Sequence, residues 1–349
     1  MFKLERVPAP VWFRTLIPVL AIVTTFVVTS ILVLAADANP LQAYYYFLIG
    51  PLSNRVSALE TLVKGTPLLL TGIAVTIAFA AGYWNIGAEG QLYAGAIAAA
   101  WVGPLLGDFP PVLAIIIMLS GGFLAGMLWA LIPALLKVKL AVDEVVTTLL
   151  MNSVMIFIVS YLLNGPWRDP VSGWPQSPQI STNAMLPKLV QGSRLHFGFI
   201  VALVMIGVVW FILSRTPLGL RMRATGMRQE AARFMGVNTS RIMLNAALIS
   251  GGIAGLAGVS EIGGIHFHLI DAISPGYGYS GIIIATLGGL HPIGVGLAAL
   301  FIGLIDTGAQ SVSRALGVPV YLGNVVQGTL LLVTLGMFLL QNYRIIRVK

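Results

Sequence analysis

The chain of 349 residues is 57% hydrophobic and only 9% charged, against roughly a quarter charged in soluble domains, so water is not its main solvent. It has no cysteine, which excludes disulfides, thiolate metal sites and cysteine nucleophiles. The net charge of +8 does not indicate nucleic acid, because the basic residues sit in short segments between apolar runs and not on a basic face with stacking aromatics. Apolar runs recur from Leu16 to Leu340 with no polar stretch long enough to fold separately. The expectation is one all-α, polytopic transmembrane domain over residues 1–349.

Lys3, Arg6 and Arg14 precede the first apolar run, and Ala36-Asp37-Ala38 resembles a signal-peptidase site. The run from Leu16 to Ala36 is longer than the ~7 to 15 residues of a secretory core, which favours an uncleaved first helix. A helix crosses the hydrocarbon core with about 20 apolar residues, fewer if broken or re-entrant. That rule predicts spans near 15–36, 65–82, 87–103, 111–136, 144–163, 197–214, 242–262, 277–290, 292–310 and 320–340. About ten spans result, with eight to ten as the range, because the third and eighth are short.

Charge orients this layout. Ten spans with both termini cytoplasmic leave Lys3, Arg6 and Arg14, then Lys137 and Lys139, the six arginines Arg215, Arg221, Arg223, Arg228, Arg233 and Arg241, and finally Arg344, Arg347 and Lys349 inside. Those are 14 of the 20 basic residues, as the positive-inside rule requires.

Between the second and third runs lies Gly82-Tyr83-Trp84-Asn85-Ile86-Gly87-Ala88-Glu89-Gly90-Gln91. Polar, glycine-rich backbone at membrane depth is tolerated only where it is buried in protein or lines a cavity. Glu89 either caps the helix that starts near Gly87, where the dipole favours a carboxylate, or lines a solute path together with Asn85. Asp143 and Glu144 open the fifth span at its cytoplasmic edge, explained by the helix dipole alone. Asn152, mid-span, either contacts a polar solute or bridges helices.

The stretch 164–196, rich in Pro, Trp, Ser and Gln, predicts an ordered extracytoplasmic cap without helix. The cytoplasmic stretch 215–241 contains a short helix: Gln229 to Met235 favours it, Gly236 terminates it and Asn238 caps the next span. Ala231, Ala232, Phe234 and Met235 sit among Arg228, Glu230 and Arg233 and give it a small amphipathic surface suited to a partner's groove, with Arg228, Gln229, Glu230, Ala231, Ala232, Phe234 and Gly236 as the candidate contact residues. Ala231 and Ala232 are expected to allow close approach there. An ordinary basic loop that only fixes orientation is the alternative.

Gly251, Gly252, Gly255 and Gly258 have the small-residue spacing of tightly packed membrane helices. Glu261, His266, His268 and Asp271 cluster beyond them, but no further ligands accompany the His-x-His spacing, so no metal is expected. Asp306 is an intramembrane carboxylate, a functional candidate by default, or else one paired with an arginine or backbone.

Glu230-Ala231-Ala232, three residues, then Gly236 resembles the EAA loop of ABC importer permeases, whose coupling helix docks into a cleft of the ATPase subunit. The 82–91 segment, Asp143 to Asn152, Ser274-Pro275-Gly276-Tyr277-Gly278-Tyr279-Ser280-Gly281-Ile282 and Trp167-Arg168-Asp169-Pro170 resemble ABC importer permeases for branched-chain amino acids, ribose and nucleosides, most closely those for purine nucleosides. The resemblance covers about residues 60 to 340. It implies a permease in a bacterial inner membrane that moves nucleosides, or else a sugar or amino acid, by alternating access. It further implies a homologous second permease, ATPase subunits carrying ATP and Mg, and an external substrate-binding lipoprotein. No Gly-Lys dipeptide occurs in the chain, so it has no Walker A phosphate loop, and neither catalysis nor a cofactor is expected on it. An ion-coupled secondary transporter is the alternative of another class: Gly288-Gly289-Leu290-His291-Pro292 offers a helix break and Glu89 and Asp306 could carry protons, but no convincing inverted repeat accompanies them and the Glu-Ala-Ala loop would then have no purpose. The four histidines fit no enzyme pattern.

Overall fold

The computed structural model describes residues 2–5, 11–170, 172–342 and 344–347. Of the basic residues assigned to the inner face, Arg6 and Lys349 lie outside the described residues. The helices in chain order are α1 (Val11–Ala35), α2 (Pro40–Leu48), α3 (Arg55–Ala80), α4 (Ala88–Val102), α5 (Pro111–Leu140), α6 (Glu144–Asn164), α7 (Gly198–Arg215), α8 (Pro217–Met227), α9 (Gln229–Phe234), α10 (Thr239–Glu261), α11 (Tyr277–Leu287), α12 (Pro292–Leu316) and α13 (Leu322–Asn342). Two short strands, β1 (Phe2–Glu5) and β2 (Arg344–Arg347), pair antiparallel and bring the two ends of the chain together.

Each of the ten predicted segments falls on a helix, whereas α2 and α8 are additions. Length and apolarity are more restrictive. Among the described residues, six helical stretches are long and apolar enough to cross a membrane, or up to seven if the pair α1–α2, bent by 120°, counts as one. The shortfall has a geometric cause. With 15 and 11 residues, α4 and α11 extend only ~22 and ~16 Å, against a hydrocarbon core of about 30 Å, and α13 counts only from Leu322 to Met337.

The second span also starts earlier than expected, at Arg55, where Asn54 accepts from the Ser57 N–H. Its first turns carry Arg55, Glu60 and Lys64, which hide the start from a hydropathy reading. Glu60 pairs with Arg194 of the stretch 164–196, so each charge has a partner.

The centre of the bundle is α3 and α10. Their apolar windows are 89% and 78% buried, against 22% for α5, α6 and α7. Glycine makes the centre this tight. A Cβ at Gly255 would stand 2.2 Å from the Gly122 carbonyl oxygen, one at Gly126 2.1 Å from that of Gly251, and one at Gly258 2.0 Å from that of Leu92. The backbones of α10, α5 and α4 therefore touch directly, as the glycine spacing predicts.

The stretch 164–196 is ordered by backbone pairing with the end of α10 and the chain beyond it. Leu186 N–H donates to Gly263, Ile180 to Phe267 and Ser177 to Leu269. Its helical content is a single turn, Thr182–Ala184. His196 closes it: Nδ1 accepts from the Gly198 N–H at the start of α7, and burial pushes the imidazole down to about 4, so the ring is neutral.

Candidate functional site

Three polar places interrupt the apolar bundle. The first is the break between α3 and α4, where Gly82 turns with φ +74° and the chain re-enters the protein interior. Asn85 is fully buried and replaces missing backbone partners. Its Nδ2 donates to Gln91 Oε1 and to Ser250 Oγ, both at 2.9 Å, and its Oδ1 accepts from the Gly87 N–H. From α6, Asn152 Oδ1 accepts from Gly90 N–H at 2.8 Å while Nδ2 donates to the Ile86 carbonyl. Thr148, one turn earlier, accepts from Ile86 N–H. Side chains from α4, α6 and α10 thus satisfy the broken stretch, which is how irregular backbone survives at this depth.

Glu89 completes the junction. Its Oε2 accepts from the Gly278 N–H at 2.6 Å, and a Cβ at Gly278 would lie 2.2 Å from the Glu89 nitrogen. The first turns of α4 and α11 therefore abut, with one carboxylate set between two positive helix ends. Asn85, Glu89 and Asn152, expected as either path or brace, are all buried in this closed network. Glu89→Leu leaves a buried N–H without an acceptor, which costs about 1–3 kcal/mol, and the detergent-solubilised protein is expected to melt lower. Glu89→Gln keeps an acceptor oxygen and is expected to retain assembly and uptake. A transport loss in well-assembled Glu89→Gln protein would assign the carboxylate to the path instead.

Asp306 is different. It lines a cavity of about 320 Å³ between α3, α11, α12 and α13, with Lys64, Tyr277, Ser280, Tyr321 and Gln327 in its wall. Lys64 Nζ donates to the Asp306 carbonyl oxygen at 3.1 Å, Gln327 Nε2 donates to Asp306 Oδ1, and Ser280 Oγ donates to Gln327 Oε1 at 2.9 Å. Among the described residues Asp306 pairs with no arginine, one of the two alternatives its position allowed; its cation neighbour is Lys64. Lys64 and Gln327 were missed in the sequence. Both are polar interruptions of apolar runs, and Lys64 sits one residue before the predicted start of its span.

The third place is the stretch 215–241. Thr216 caps α8 by accepting from Gly219 N–H, and α9 follows after the extended Arg228. Gly236 leaves the helix with φ +81°, and Asn238 accepts from Arg241 N–H to open α10, as the residues predict. Gln229 and Arg233 fasten α9 to α10 through Thr239 Oγ1, at 3.4 and 2.8 Å. Arg228, Glu230, Ala231 and Phe234 are exposed, Phe234 at 95%. Ala232 is a correction: it is 1% exposed and turned onto the chain's own body, because the return through Val237, whose N–H donates to the Ala232 carbonyl, covers it. At the other end of this stretch, a Cβ on Gly226 would be 2.4 Å from the Ala80 carbonyl oxygen, so α8 is seated on the break that follows α3.

A multi-pass helical bundle with a buried polar junction, a polar cavity between four helices and a short helix with an exposed face has the parts of a membrane permease. The family described as the permease component of branched-chain amino acid transport systems matches residues 57–335, and the chain belongs to it. A glucose ABC transporter permease protein of Haloferax volcanii is 34% identical over 97% of this chain and 92% of its own length. A guanosine ABC transporter permease protein of Bacillus subtilis is 33% identical over 87% of this chain and 88% of its own. A second guanosine ABC transporter permease protein of the same organism is 30% identical over 72% of this chain and 80% of its own. No solved structure matches the chain.

Proposed function

We propose that this permease subunit moves nucleosides inward through a bacterial plasma membrane, with ten crossings and both termini cytoplasmic. The carrying observation is α9: a short helix on the face that the charge distribution assigns to the cytoplasm, fixed to α10 from one side and presenting Phe234 to a partner from the other. An ATPase subunit receives that face and holds the ATP and Mg. A homologous second permease completes the pore, in keeping with the two guanosine permease proteins of Bacillus subtilis, and an external lipoprotein delivers the solute. Force applied to α9 reaches α8, and Gly226 of α8 bears on the α3–α4 break, so the junction around Glu89 can rock with the coupling helix. The pairing of β1 with β2 supports termini on one side, as an even number of crossings demands. A sugar, as for the Haloferax relative, is the alternative cargo.

Two tests arise here. The absence of cysteine makes every introduced thiol unique within the chain, and the exposed positions Gln191 and Glu230 suit labelling. Gln191→Cys is expected to react with an impermeant reagent from outside and Glu230→Cys only from inside; labelling of both from one side would remove the ten-crossing layout. Separately, the purified chain is expected to hydrolyse no ATP until its ATPase is added, since it has no phosphate loop. Turnover by the isolated chain would contradict the division of labour.

A further inference from the structure

We propose that the cavity walled by Lys64, Ser280, Asp306 and Gln327 is a binding site for an uncharged, polyhydroxylated solute, such as the ribosyl part of a nucleoside. The identity of the solute rests on the nucleoside reading; the site itself rests on geometry. Four helices, α3, α11, α12 and α13, each bring at least one polar side chain to the same volume. Bracing is a poor account of them. Removing an ammonium and a carboxylate from water costs several kcal/mol per ion, and apolar residues of similar volume often pack at least as well.

The cluster also has bonding capacity beyond its internal contacts. Lys64 Nζ carries three donors and the Asp306 carboxylate about four acceptor positions, while one hydrogen bond of each side chain is made within the cluster. A vicinal diol matches this surplus, because its hydroxyls donate to a carboxylate and accept from an ammonium at once. The charges of Lys64 and Asp306 cancel, which selects against ions: a phosphate would meet the Asp306 carboxylate, and a cation the Lys64 ammonium. The volume of about 320 Å³ lies within the range of small-molecule sites, roughly 300–1,000 Å³. Tyr277 in the wall and the exposed Tyr321 and Asn324 at the mouth offer aromatic faces and an amide to a flat ring.

The test uses the complete transporter in proteoliposomes with Ser280→Cys, or Asn324→Cys at the mouth if the first does not assemble, each giving this subunit one thiol. Reaction with a small methanethiosulfonate reagent is expected to slow about threefold once guanosine reaches twice its dissociation constant, and not to slow with guanosine monophosphate. Unchanged modification in vesicles that accumulate guanosine overturns the site while leaving the nucleoside reading intact. Vesicles that take up glucose and not guanosine overturn that reading; protection by glucose then still supports the site. A second arm pairs Lys64→Met with Asp306→Leu. A solute site predicts assembled complexes whose uptake falls by about tenfold or more, the loss of ~1.4 kcal/mol of binding. Wild-type uptake by that double variant would show that the pair only braces the helices.

Discussion

Gly255→Leu is expected to abolish the folded subunit. The substitution places four carbons where the Gly122 carbonyl oxygen lies 2.2 Å from the first of them, with the Gly126 Cα at 3.2 Å. Neither neighbour is the movable end of a side chain, so α5 and α10 must separate, and the contacts of Gly251 and Gly258 with α5 and α4 are lost with them. Overpacking typically costs 1–3 kcal/mol where side chains can shift, and about that much or more is expected where only backbone faces backbone. Membranes should contain little monodisperse protein after solubilisation. Gly121→Leu is the matched control, since nothing lies within 4 Å of a Cβ there. Equal recovery of the two variants would show that close packing of α10 is not what holds the centre.

Phe234→Ala is expected to disconnect the transporter without harming the subunit. At 95% exposure the ring contributes little to the fold, and surface changes usually stay within about 0.5 kcal/mol. An aromatic anchor in a partner's cleft is worth about 2 kcal/mol or more, equivalent to a ~30-fold weaker contact. The ATPase should fail to co-purify and uptake should collapse, while thermal unfolding of the permease is unchanged. Gly236→Val tests the same joint by another route. No atom lies within 4 Å of a Cβ at Gly236, so its effect is conformational: a left-handed residue with a side chain costs ~1–2 kcal/mol and re-aims α9 against α10. Normal ATPase recovery with both variants would remove this loop as the coupling element and leave it as a basic orientation signal.

Hydropathy and charge made the helical bundle legible because lipid forces long apolar runs, and α9 was legible because Gly236 and Asn238 are end signals of fixed local geometry. The beginning of α3 was not, since Glu60 and Lys64 meet partners more than a hundred residues away, the Arg194 guanidinium and the Asp306 carbonyl. Span count was ambiguous for the same kind of reason: α4 and α11 are short because their ends meet at Glu89, a contact across 189 positions. At the candidate site, Asp306 was visible as a charge in an apolar run, but its cavity is assembled from four helices. Nothing local distinguishes Asn152, whose hydrogen bonds go to the α3–α4 break, from Asp306, which lines a cavity. Ala232 was misjudged because helix periodicity gives the relative angle of residues and not which face the rest of the chain covers.

The central claim, that this chain carries a nucleoside path driven by ATP hydrolysed on a partner, is tested most directly by uptake in reconstituted vesicles. Proteoliposomes containing this permease, its partner permease and ATPase, with the external binding protein added, are expected to accumulate labelled guanosine only when ATP is inside the compartment facing Phe234. Dissipating proton and sodium gradients should leave the rate unchanged. Accumulation without ATP that collapses with an ion gradient would contradict the account.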